Sequence, residues 1–300
     1  MAFIVARQLL IMFIYLVIGF TLFRTHLISK EGSKALANLL LYCILPCVVV
    51  KSFITDYSGE KAQALFVSLI FGAIILLVSI IISRLVFKNP IDAFSSSFSN
   101  AGFMGFPLIT AALGEGAVFY AAGFVAILNA LQWTYGQAHM SGDKSLASPK
   151  AIVKNPLVIS FVLGLLVFYL RVPVPGIVTS VLSSISGMNA PVAMIILGIY
   201  LAQTDLKGIF TNPHLYVISA MRLLVIPFVT ILLALFLKGS YATVAMAVII
   251  ANAAPIGSNV AVYAQKLGLD YPYAVQQVCL STILSLATLP LMIQIASLFW

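Results

Sequence analysis

The sequence predicts an all-α membrane protein: ten transmembrane helices in two inverted five-helix repeats, with helices 4 and 9 broken where they cross. Three observations predict this. The 300 residues are 62% hydrophobic and only 8% charged, with a mean hydropathy of +1.12, whereas a soluble domain carries about 25% charged residues. Apolar runs of about 20 residues, the length that crosses a hydrocarbon core of about 30 Å, recur along the whole chain. Two of these runs are interrupted by similar Asn, Gly and Pro clusters, one in each half: Asn100-Ala101-Gly102-Phe103-Met104-Gly105-Phe106-Pro107 and Asn252-Ala253-Ala254-Pro255-Ile256-Gly257-Ser258-Asn259. Asn100 and Asn252 stand 152 residues apart.

The spans are expected near residues 3–23, 34–54, 63–86, 92–113, 116–139, 153–170, 175–203, 213–237, 241–266 and 272–299. Charged or Gly/Pro-containing connections separate most of them. The first span is too long for a signal-peptide core and lacks a small-x-small cleavage site. The stretch from Val174 to Gln203 is long for one span and predicts an interfacial piece or a strong tilt. Residues 1–140 form the expected first repeat, 141–152 a cytoplasmic connecting loop, and 153–300 the second repeat. Five spans per half is an odd number, so the second half is inverted relative to the first. Leu113-Gly114 matches Leu267-Gly268, and Pro46 matches Pro191, in the order a duplication requires.

Charge sets the expected orientation. With the N-terminus outside, the inner connections hold Arg24, Lys30, Lys34, Arg84, Lys88, Lys144, Lys150, Lys154, Lys207 and Lys266. The outer side holds Arg7, Lys61, Arg171 and Lys238, with Lys51 near the outer end of span 2. Cytoplasmic loops carry the excess of Lys and Arg, so both termini are expected outside. The formal charge of +8 has this origin. No basic cluster with interleaved aromatics is present, and nucleic acid is not an expected partner. The lipid bilayer is.

Several chemistries are excluded or disfavoured. Cys43, Cys47 and Cys279 are too few for a disulfide framework, and no His or carboxylate lies near the first two to complete a metal site. His26, His139 and His214 are widely separated, and no metalloprotease or serine-hydrolase motif appears. The chain does not read as an enzyme, and neither a cofactor nor a metal is expected.

The interruptions point to a site. Proline removes a backbone donor and clashes with the preceding turn, and glycine raises the cost of staying helical. In hydrocarbon the freed backbone groups survive only inside protein or beside a wet cavity. Paired interruptions in corresponding segments mark the binding site of repeat-built transporters. Each break places the N-terminus of a half-helix near mid-membrane, where its free N–H groups favour an anion. Neither cluster contains a charged residue, and two helix ends with amide side chains can hold one carboxylate without any Lys or Arg. The candidate binding residues are Asn100, Ala101, Gly102, Gly105, Pro107, Asn252, Ala253, Pro255, Gly257, Ser258 and Asn259. Ser95, Ser96, Ser97 and Ser99 are expected along the approach. Arg222, Gln132 and Tyr135 are supporting candidates. Arg222 either snorkels from near the inner end of span 8 or pairs with Asp92 or with backbone carbonyls. Asp92 reads as a boundary residue at the inner start of span 4.

The motifs resemble the auxin efflux carrier family. They are Leu45-Pro46-Cys47-Val48-Val49, Asn100 to Pro107, Gln132-Trp133-Thr134-Tyr135, Lys154-Asn155-Pro156, Arg222 to Pro227 and Asn252 to Gln265, covering nearly the whole chain in order. The short Ser141 to Lys154 connection matches the bacterial malate or malonate permease-like branch, not the plant PIN-type auxin carriers with their long cytoplasmic loop. The resemblance implies a fold like that of bile acid symporters and sodium/proton antiporters, with scaffold and transport domains each drawn from both repeats. It also implies a carboxylate bound at the crossing, elevator-type movement, a homodimer through the scaffold, and residence in the bacterial inner membrane. The expected function is secondary transport of a small organic anion such as malate or malonate. The alternative is a sodium/proton antiporter-like cation exchanger on the same fold, which needs a carboxylate at the crossing that neither cluster supplies. Coupling to protons or to sodium is left open by the sequence.

Overall fold

The computed structural model describes residues 2–146, 149–237 and 239–299. Ala147 and Ser148 of the expected connecting loop, the outer-side cation Lys238, and the end residues Met1 and Trp300 of the two expected repeats lie outside the described residues. In chain order, α1 is Ala2–Arg24, α2 Lys30–Ser52, α3 Gly59–Val86, α4 Pro90–Ser97, α5 Ala101–Leu113, α6 Glu115–Ser141, α7 Pro156–Tyr169, α8 Gly176–Ala202, α9 Pro213–Ala234, α10 Ala242–Ala253, α11 Asn259–Lys266 and α12 Tyr271–Ala296. Seven of these, α1, α2, α3, α6, α8, α9 and α12, are long and apolar enough to cross a membrane, and α5, α7 and α10 are shorter apolar helices. Among the described residues the one extended pairing is a single antiparallel bridge between Ser99 and Ile256.

Local sequence explains the helix starts. Asn89, Asn155 and Asn212 each precede a proline and accept a hydrogen bond from a backbone N–H of the helix they open. Asparagine caps satisfy amides that have no intrahelical partner, and proline at the first helical position gives up only a donor that would be unpaired anyway. Prolines inside helices leave a different trace. Leu40–Ile44, Ala101–Gly105 and Met221–Val225 are π-helical turns, and each ends two residues before Pro46, Pro107 or Pro227. A proline ring cannot share space with the carbonyl four residues back. Widening that turn by one residue relieves the clash without ending the helix.

Helix α1 shows how the interior is built. Val5, Leu9, Met12, Leu16 and Gly19 are buried at alternating steps of four and three residues, a stripe that seats against a neighbouring helix. Its opposite face, with Phe3, Leu10, Ile14 and Val17, is exposed and equally apolar, as a lipid-facing surface requires. The buried stripe packs on the Asn189–Ala202 half of α8, where the two backbones nearly touch. A β-carbon on Gly19 would collide with the carbonyl of Ile195, and one on Gly198 with the carbonyl of Leu16. In the same layer α2 packs on α7 and on the first half of α8. Helices α3, α4 and α6 pack together, as do α9, α10 and α12, and α10 lies against α6.

Two differences from expectation concern connections. The 141–152 loop contains a 3₁₀ turn at Lys144–Leu146 and the start of a short helix, Pro149–Val153; Pro149 takes a first helical position, where its missing donor costs nothing. The long 175–203 stretch is divided at Met188 into Gly176–Gly187 and Asn189–Ala202, and the first piece has no fully buried residue.

The glycine contact generates a stability prediction. Gly198→Ala forces a methyl group against main chain that cannot repack, and overpacking of this kind costs about 1–3 kcal/mol. Gly59→Ala, with nothing within 4 Å of the added carbon, should change stability by no more than about 0.5 kcal/mol. Thermal unfolding in detergent should therefore show a lowered Tm for the first variant alone, and equal Tm values would refute the packing argument.

Candidate functional site

The helix that begins at Pro90 stops at Ser97, and the one that begins at Ala242 stops at Ala253. Pro255 explains the second stop, because continuing the helix would drive its ring into the Ala251 carbonyl. Ala254 accordingly takes an extended conformation, φ −57° and ψ 151°, as residues before proline do. The two interruptions then pair with each other. The Asn100 N–H donates to the Pro255 carbonyl at 2.7 Å, and the Gly257 N–H donates to the Phe98 carbonyl at 3.0 Å. The Ile256 N–H is taken by Ser281 Oγ at 3.1 Å. Gly257 permits this approach, since a β-carbon there would sit 3.1 Å from the Ser99 carbonyl oxygen.

Four helix ends converge on this junction, and the side chains sort them by sign. The carbonyl ends of α4 and α10 are gathered by Arg222, which is wholly buried. Its Nη1 donates to the Ser96 and Ser97 carbonyls at 3.2 and 3.0 Å, and its Nη2 donates to the Asn252 carbonyl and, at 2.9 Å, to Asn252 Oδ1. Helix C-termini carry partial negative charge, so one guanidinium neutralises two of them. Asn252 Nδ2 donates to Thr230 Oγ1 at 2.7 Å, which commits both ends of that amide to the framework.

The amide ends of α5 and α11 border a small cavity of about 20 Å³, room for roughly one water molecule. It is lined by Ser99, Asn100, Ala101, Gly102, Asn129, Gln132, Gly257, Ser258 and Asn259, and walled by Leu41, Leu45, Phe103, Leu128 and Leu157. Among the described residues, no acidic or basic side chain lines it. Asn100 is 4% exposed and its Nδ2 has no acceptor. The Ser99 hydroxyl is likewise unpaired, whereas Asn259 Nδ2 donates to Gln132 Oε1 at 2.6 Å. A second cavity, of about 470 Å³, runs from an ion pair between Lys51 and Glu115, 3.0 Å apart, to Asn189. Asn189 Nδ2 donates to the Gly102 carbonyl at 3.1 Å, which ties a residue lining the large cavity to one lining the small cavity.

The structure thus divides the candidate residues. Asn100, Ala101, Gly102, Gly257, Ser258, Asn259 and Gln132 line the small cavity, and Pro107 lines the large one. Gly105 packs on Ala251, with 3.2 Å left for an added β-carbon; Ala253 is buried, and Pro255 supplies its carbonyl to the junction. Tyr135 stacks on His139 and lines neither cavity. Ser96 and Ser97 turn their hydroxyls back onto their own helix. Of the alternatives open for Arg222, the backbone carbonyls are the ones it meets; it neither snorkels nor reaches Asp92. One expectation is overturned. Asp92 is no boundary residue: it is 2% exposed and accepts from Tyr273 OH at 2.9 Å and Gln277 Nε2 at 2.7 Å, with His214 Nε2 at 2.9 Å. Sequence reasoning missed Asn189, although Asn189-Ala190-Pro191 is close to the Asn252-Ala253-Ala254-Pro255 of the second break, one alanine shorter. Of the apolar wall, Leu45 and Phe103 lie in motifs named above, whereas Leu41, Leu128 and Leu157 carried no signal.

Seven helices long and apolar enough to cross a membrane, around a buried polar junction of broken segments, fit a membrane transport protein. A family model described as "Membrane transport protein" matches residues 4–151 and 145–293, and the chain belongs to that family, the auxin efflux carriers that its motifs resemble. A "Putative malonate transporter" of Rhizobium meliloti is 28% identical over 276 residues, 86% of this chain and 85% of that protein. An "Uncharacterized transporter" of Methanothermobacter thermautotrophicus is 25% identical over 292 residues, 93% of this chain and 94% of that protein.

Arg222 gives this site its stability test. Arg222→Met leaves three buried carbonyls without a donor, each costing about 1–3 kcal/mol. Arg222→Lys should fail to rescue, because a single ammonium lacks the fork that reaches two helix ends. Both variants should show a marked loss of Tm in detergent, and wild-type stability in either would remove the assigned role.

Proposed function

We propose that the protein is a secondary transporter of a small organic anion, a mono- or dicarboxylate of the malate or malonate class, bound where the two broken segments meet. One observation carries this reading. At the amide ends of α5 and α11, in a cavity without a carboxylate, the Asn100 amide is buried with an unused donor. A carboxylate oxygen is the complement of that arrangement. Helix N-termini favour anions by up to ~2 kcal/mol each when partly buried, and a charge-assisted hydrogen bond is about twice as strong as a neutral one. The name of the Rhizobium meliloti relative supports the same substrate class. The absence of an acid from the cavity lining argues against the cation-exchanger alternative at this position.

The architecture we infer has ten spans. α4 with α5 forms one broken span, α10 with α11 another, and α7 is the sixth. Their inverted-repeat relation is supported by the packing of the first span on the seventh and the second on the sixth, a pattern that exchanging the halves preserves. Spans 1, 2, 6 and 7 would be the scaffold, dimerising with a second copy, and the remainder the transport domain moving against it in elevator fashion. The Lys and Arg distribution supports both termini outside the cell membrane.

The test is counterflow of radiolabelled malonate in proteoliposomes. Asn100→Ala and Asn259→Ala should each slow it at least about tenfold, which corresponds to about 1.4 kcal/mol of lost interaction. Full activity in both variants would displace the site, and no saturable exchange of any small carboxylate by the unaltered protein would end the transport reading.

A further inference from the structure

Among the described residues, the buried side chains that carry a formal charge at neutral pH are two, Asp92 and Arg222. They lie along one pair of neighbouring helices. Asp92 sits in the first turn of α4 and meets His214 in the first turn of α9. Ser96 and Ser97, at the other end of α4, meet Arg222 two turns further along α9. One end of this two-rung ladder holds the junction where the anion is proposed to bind. The other end holds a carboxylate that is 3% exposed against an imidazole that is 50% exposed, so the pair has a buried member and a member within reach of water.

Charge conservation gives this placement a meaning. Without substrate, Arg222 and Asp92 offset each other, so the moving helices carry no uncompensated buried charge. A bound anion adds negative charge at the junction, and an uncompensated charge is costly in a low-dielectric interior. A neutral His214 that takes one proton becomes an imidazolium and restores one unit of that balance. Its partner is already in place, 2.9 Å away at Asp92 Oδ2. Tyr273 and Gln277 donate to the other carboxylate oxygen and hold it toward the ring. We propose that Asp92 and His214 form the proton-binding site of an anion–proton symport, each transported anion being accompanied by one proton held on this pair. This rests on the transport reading above.

Other ionisable groups on the packed elements have their contacts away from this pair. Arg222 holds the far end of α4. Asp270 caps α12 through the Tyr273 N–H. Tyr263 of α11 has its ring against Phe94. Tyr135 and His139 of α6 stack their rings on each other. Tyr273, partly exposed, also reaches the buried carboxylate, but as a hydroxyl donor to its other oxygen; His214 is the half-exposed imidazole beside it, with a ring nitrogen that can take up a proton.

The experiment uses the full chain in proteoliposomes, with malonate as probe, the membrane voltage held at zero by potassium and valinomycin, and protein-free vesicles subtracted. With the interior about one pH unit more alkaline, one-to-one symport accumulates malonate about tenfold over the level without a gradient, because at equilibrium the anion ratio mirrors the proton ratio. In Asp92→Asn and in His214→Gln that ratio should fall to about one. Because the ratio is taken within each variant, general damage to the protein cancels. If Asp92→Asn does not yield a monodisperse protein, His214→Gln decides, since its side chain is half exposed. Malonate counterflow without any response to the pH gradient would overturn the proposal, as would accumulation driven by sodium alone, or variants that keep the unaltered protein's ratio. Absence of counterflow in the unaltered protein is a separate result that removes the transport reading itself.

Discussion

The guanidinium of Arg222 is the constraint on which the rest of the interior depends. Breaking a helix inside a membrane leaves carbonyls at one end and amides at the other with nothing to bond to, and two breaks double the problem. Here one side chain takes the carbonyl ends of α4 and α10 together, and the extended residues between the half-helices pair with each other. The amide ends of α5 and α11 are what this arrangement leaves over. A cavity that is electropositive without containing a cation follows from how the opposite ends are neutralised. Asn252, whose sequence position suggested ligand contact, belongs to the neutralising side of this division, and Asn100 to the other.

Much of this was legible in the sequence, because proline, glycine and asparagine act through the backbone and so leave local marks. Both interruptions could be placed from residue type alone, and the 175–203 stretch could be recognised as too long for one simple span. Pro46, Pro107 and Pro227 also announce the widened turns that precede them. What was not legible concerns which face of each helix is buried. In water a helix advertises its buried side by contrast, but α1 is apolar on both faces, and the regular spacing of Val5, Leu9, Met12 and Leu16 is hidden by the Phe3, Leu10 and Ile14 side. The same loss of contrast concealed Leu41, Leu128 and Leu157 in the wall of the small cavity.

Asp92 illustrates a second limit. A carboxylate two residues beyond an Asn-Pro helix start looks like a first-turn residue facing the membrane surface. Its burial depends on His214, Tyr273 and Gln277, which lie 122 to 185 positions away. No periodicity encodes such a meeting. The destination of Arg222 was open for the same reason, since its acceptors are main-chain atoms that any sequence would possess.

The bond from Asn189 to the Gly102 carbonyl has a mechanical corollary. Asn189 belongs to the half of α8 that is locked to α1 by facing glycines, whereas Gly102 rides on the first turn after a break. A hydrogen bond at 3.1 Å ceases to act once stretched past about 3.5 Å, so a relative slip of well under one helical turn between these two segments is enough to break this tie.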